Sequence, residues 1–73
     1  MKNAVVEAIL FHIDFESCES FKDFEYAYQT LKGFSTLSYV SAKFPRVSVR
    51  TLENAVVTVE KMINDSMDKL LSN

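Results

Sequence analysis

A chain of 73 residues, 48% hydrophobic and 25% charged, has room for one domain (1–73) and the composition of a folded core rather than of disorder. One Gly and one Pro leave too few turns for many short strands, one Cys excludes an internal disulfide, and one Cys with one His cannot complete a structural zinc site. The net charge is −2, and no apolar run approaches the ~18 residues of a membrane span, so no membrane association is expected. Glu7 interrupts the first apolar stretch and no small-residue cleavage site follows, so no signal peptide is read. The expected location is the cytoplasm, or the host cell cytoplasm if the protein is viral.

The first segment, residues 4–16, has two readings. Val5, Ile9 and Ile13 fit one helix face, with Ala8, Phe11 and Phe15 beside it, yet Phe11 to Glu16 alternates apolar and polar as a strand does. Helix is favoured because no second strand offers a partner within the chain; a strand exchanged between two subunits is the alternative. The second segment opens on Ser20 with Asp23 three residues on, a capping-box-like start. Phe21, Phe24, Tyr28 and Leu31 then share one face, and Gly33 is expected to end the helix in the left-handed conformation. A third helix starts with Ser35 as N-cap, carries Leu37, Val40 and Phe44 with Ser41 beside them, and stops at Pro45.

The fourth and longest helix is capped by Ser48, and nothing breaks it from Val49 to about residue 71. Leu52, Val56, Val59, Ile63, Ser66 and Leu70 recur with coiled-coil spacing and one polar interruption. The predicted fold is therefore all-α, a small bundle of three to four helices. A chain this short, with neither disulfide nor metal, commonly buries apolar surface against a partner. A homodimer is expected, with Leu52, Val56, Val59, Ile63 and Leu70 as its interface.

Charge is unevenly distributed. Residues 1–29 carry Lys2 and Lys22 against Glu7, Asp14, Glu16, Glu19, Asp23 and Glu25. Residues 30–52 carry Lys32, Lys43, Arg46 and Arg50 and no acid, and residues 53–73 are again acidic. The basic window contains a short helix, a tight link and a long capped helix. Over about residues 36–57 the chain resembles the helix-turn-helix DNA-binding domains: Ser41, Phe44, Val47, Leu52 and Ala55 fill the family's small and apolar positions, with Pro45-Arg46 where its turn has Gly.

The resemblance implies a helix-turn-helix without a wing, with Leu52, Ala55 and Val56 facing inward. Ser48, Arg50, Thr51 and Asn54 would then read bases in the major groove, where Arg suits guanine and Asn adenine. Lys43 and Arg46 would hold phosphates, Thr36 or Ser38 would bond a phosphate oxygen, and Lys32 is a weaker candidate. The partner would be double-stranded DNA, and the function that of a small sequence-specific regulator of transcription or of a mobile element, acting as a homodimer.

The other chemical features point away from catalysis, cofactors and metals. Glu16, Glu19 and Asp23 surround a helix start, where acids stabilise the dipole. His12 is read as a core-edge residue, and Cys18 lacks a basic neighbour to activate it. No enzyme is expected. Phe11, Phe15, Phe21, Phe24, Tyr26, Tyr28 and Phe34 are assigned mainly to core packing. Tyr26 and Glu25 fall on an outward face, and from them comes the alternative function: a small acidic protein of phage or plasmid type that binds and inhibits or adapts a partner protein through its acidic, aromatic N-terminal half.

Overall fold

Asn3 starts the first helix: its Oδ1 accepts hydrogen bonds from the N–H groups of Val5 (2.9 Å) and Val6 (3.2 Å), two of the donors that a helix start leaves without intrahelical partners. In the computed structural model, which describes residues 3–72, the ambiguous first segment is thus helix α1, Ala4–His12. Its apolar face, Val5 and Ile9 continued by Ile13, is buried. The chain then reverses through Asp14, the one non-glycine residue with positive φ (54°) among the described residues, and a 3₁₀ turn at Phe15–Ser17. Asp tolerates this left-handed conformation better than most residues, and its carboxylate accepts a hydrogen bond from Ser17 Oγ at 2.9 Å.

Helix α2, Phe21–Lys32, opens with the expected capping box. The Asp23 N–H donates to Ser20 Oγ (3.2 Å), and Asp23 Oδ2 accepts from the N–H groups of Glu19 and Ser20, both at 3.0 Å. Phe24 and Leu31 are buried with Ala27, while Phe21 lies at the rim. Gly33 ends the helix, but in an extended conformation (φ −70°, ψ 149°) rather than the left-handed one expected. A single residue both closes α2 and opens α3, so the chain must pass directly from one helix to the next. A side chain there would put its Cβ 3.3 Å from the Thr30 carbonyl oxygen. Consequently Gly33, not Ser35, occupies the cap position of α3, Phe34–Lys43.

Val40 is fully buried on α3, and Leu37 and Phe44 pack partly against the same core. The helix stops at Lys43, ahead of Phe44 and Pro45, as the sequence predicts. After a link over residues 44–48, helix α4 runs Val49–Ser72, about 36 Å at 1.5 Å per residue. Leu52, Ala55, Val59 and Ile63 form its buried face, against which α1, α2 and α3 all pack. There is no strand among the described residues.

This packing overturns the assigned dimer interface. Leu52 (1% exposed), Val59 (0%) and Ile63 (0%) lie inside the monomer, and Val56 is partly covered by the same core. Of the five seam residues only Leu70 is exposed. A heptad-like spacing marks a helix with one buried face; it does not tell whether the covering helices belong to the same chain or to another.

The capping box has a pH signature. Hydrogen bonds from the Glu19 and Ser20 amides hold the Asp23 carboxyl below its ordinary value of 3.8. A carboxyl depressed on folding contributes stability above its unfolded pKa and loses it as pH falls through the folded value. Asp23→Asn should therefore be less stable than wild type at neutral pH, with the gap closing in acid; urea denaturation across pH measures it, and a gap independent of pH would contradict the assignment.

Candidate nucleic-acid interface

The end of α3, the link and the first turns of α4 form one end of the molecule. Ser48 caps α4: its Oγ accepts the Thr51 N–H at 3.2 Å and lies 2.9 Å from Thr51 Oγ1. Both hydroxyls are thus committed to the helix start, although both residues are exposed. Arg50 and Asn54, four residues apart, share an exposed stripe of α4 away from the Leu52–Val59 face. Lys43, Arg46 and Ser38 are also exposed. The Lys43 ammonium lies 5.7 Å from the centroid of the Tyr39 ring, and that ring stacks on His12 at 4.2 Å. Among the described residues Lys43, Arg46 and Arg50 make no ion pair, and the first turn of α4 contains no acid, leaving the positive end of the helix dipole unopposed there. Glu53, also exposed, adds one negative charge beside them.

Two assigned positions do not belong to this surface. Thr36 is fully buried (0% exposed), and its hydroxyl donates to the Thr30 carbonyl, so it cannot reach a phosphate. It lies one turn before Val40, on the inner face of α3, and binds α3 back to α2. Lys32 is paired with Glu60 at 2.7 Å, an ion pair between α2 and α4. The hydrogen bond to Glu60 raises the lysine's pKa and lowers the carboxylate's, so the positive charge is already balanced.

The Cys18 thiol lies 3.6 Å from the Asp14 carbonyl oxygen and 3.7 Å from that of Asp23. Burial, aided by the Asp23 and Asp14 carboxylates, pushes its pKa up, opposite to what a nucleophilic thiolate requires. No group of three His, Cys, Asp or Glu side chains among the described residues is placed to hold a metal. No described helix is long and apolar enough to cross a membrane.

The aromatic residues divide differently from the expectation. Phe24 is buried, and Phe15, which meets it edge-on with ring centroids 5.7 Å apart, is partly buried, as is Tyr28. Tyr26 is exposed, as its outward position predicts, but Phe11 (83% exposed) and Phe34 (87%), expected in the core, also stand out in solvent. Periodicity contains the signal for Phe11, which lies two residues from both Ile9 and Ile13 and therefore off their face. Phe34 is the first residue of α3, where periodicity carries little information. Comparison with known proteins finds no family model, no curated protein and no solved structure that matches the chain.

Thr36→Val removes the α3–α2 hydrogen bond while conserving shape. It should lower unfolding free energy by about 1 kcal/mol, read from the urea midpoint, and an unchanged midpoint would contradict the structural role assigned to this hydroxyl.

Proposed function

We propose that the chain is a small DNA-binding regulator, not an enzyme, acting in the cytoplasm with α3 and α4 as its helix-turn-helix. The observation that carries this reading is the group of three exposed cations, Lys43, Arg46 and Arg50, without an ion pair among the described residues, around the start of a helix whose opposite face is buried. The core contacts of Leu52, Ala55 and Val59 fix the orientation of α4, so that Arg50 and Asn54 enter a major groove as base readers, flanked by Ser48 and Thr51. Lys43, Arg46 and Ser38 supply phosphate contacts that set register without reading sequence. Regulation follows from occupying a promoter or recruiting another factor to it. Two copies on related half-sites would lie about one DNA turn apart. With the inner face of α4 closed, the apolar positions of α4 open to such pairing are Val49, Val57, Leu70 and Leu71.

The test is selection of bound duplexes from a random pool, followed by fluorescence anisotropy at two salt concentrations. Arg50→Ala should cost about 1–3 kcal/mol and relax specificity at one position, while Arg46→Ala should weaken all sequences alike and reduce the salt slope by about 1. A folded protein that binds no duplex at low salt overturns the proposal.

A further inference from the structure

A groove of about 810 Å³ lies away from the basic end. It is lined by Leu10, Phe11, Phe15, Cys18 and Phe24, with Phe24 buried and Phe11 exposed, and by the carboxylates of Glu7, Asp14 and Glu16, with no cation among the lining residues. Glu7, Leu10 and Phe11 follow one another at i, i+3 and i+4, so they form a second ridge along α1, off the buried Val5–Ile9 face, and Asp14 continues the lining beyond the helix end. Across the groove stands Ser66 of α4. This is the polar interruption in the otherwise apolar seam, and its hydroxyl is turned onto its own helix, donating to the Met62 carbonyl at 3.0 Å. A small residue where the spacing calls for a large apolar one leaves the hollow open. The short α1 and the reversal at Asp14 keep the chain itself from filling it.

We infer that this groove docks a basic amphipathic helix of a partner protein, apolar side chains on Phe11, Phe15 and Leu10 and Lys or Arg side chains against Glu7, Asp14 and Glu16. Each part of the occupant's chemistry follows from the lining. The aromatic lining requires apolar side chains, and an exposed Phe is the kind of large, rigid contact that dominates binding energy when covered. The carboxylates repel phosphates, which excludes nucleic acid and anionic lipid, and favour a cationic polypeptide. No strand edge exists among the described residues to accept an extended peptide, whereas a helical ridge on α1 beside a groove that reaches Ser66 of α4 suits the ridge of a third helix. The surface is independent of the DNA reading: Ser66 lies sixteen residues beyond Arg50 on α4, about 24 Å along the helix.

Two synthetic helices about five turns long test this, both with leucines at i, i+3, i+4 and i+7, one with lysines at the remaining positions and one with glutamates. Fluorescence anisotropy with the full chain should show binding of the lysine helix, weakened by salt, and none of the glutamate helix. Phe11→Ser should weaken binding by about tenfold or more, and Glu7→Gln with Glu16→Gln should weaken binding and reduce its salt dependence. Because these residues are exposed, the variants should keep the wild-type circular dichroism; Phe34→Ser, at the other exposed Phe, should bind as wild type. Equal binding of both helices, an equal loss in Phe34→Ser, or no binding of either helix overturns the inference. So does self-association of the protein alone that Phe11→Ser abolishes, which would make a second copy the occupant.

Discussion

The fold depends on one face of one helix. Leu52, Ala55, Val59 and Ile63 of α4 are the common surface on which α1, α2 and α3 pack. Those helices have nine, twelve and ten residues against twenty-four in α4, so none can run the length of α4. Removing any one of them would expose part of this line to water, at a cost of about 25 cal/mol per Å² of apolar surface. The same mismatch in length leaves the far end of α4 uncovered, with Leu70 and Leu71 exposed where the seam outruns its neighbours.

The local chemistry of the helix ends was the most legible part of the sequence. Ser20 with Asp23, Ser48 before the last helix and Pro45 after the third each act through atoms within a few residues, and each marks a boundary in the structure. Gly33 was read at the right place with the wrong geometry, because the conformation of a one-residue junction is set by how two helices abut rather than by glycine's own freedom. The spacing in α4 identified a buried face but not what buries it: intramolecular and intermolecular packing impose the same period. Thr36 was misplaced for a related reason. A threonine in a polar window reads as surface, and only the approach of the Thr30 carbonyl shows that a buried hydroxyl can be satisfied there.

The uneven charge along the chain becomes a difference between two ends of the molecule. Lys43, Arg46 and Arg50 gather at the start of α4, whereas Glu7, Asp14 and Glu16 gather around a groove that meets α4 near Ser66. The single ion pair among the described residues, Lys32–Glu60, lies between these positions along α4 and balances the charge of Lys32, while Lys61 of α4 stays exposed beside it. Surface pairs of this kind add little stability. The candidate nucleic-acid surface was partly legible, since exposure of Arg50 and Asn54 follows from helical period once Leu52 is placed inside. The groove was not, because it is made by a small residue of α4 meeting a second face of α1.

Amide hydrogen exchange followed residue by residue at several protein concentrations tests the central role of α4 most directly. If three helices of the same chain bury its inner face, the amides over residues 52–63 should be the slowest to exchange, those over residues 68–72 should exchange fast, and the pattern should not change on dilution. Protection over 52–63 that falls as the protein is diluted would show that a second copy, rather than α1, α2 and α3, completes the core.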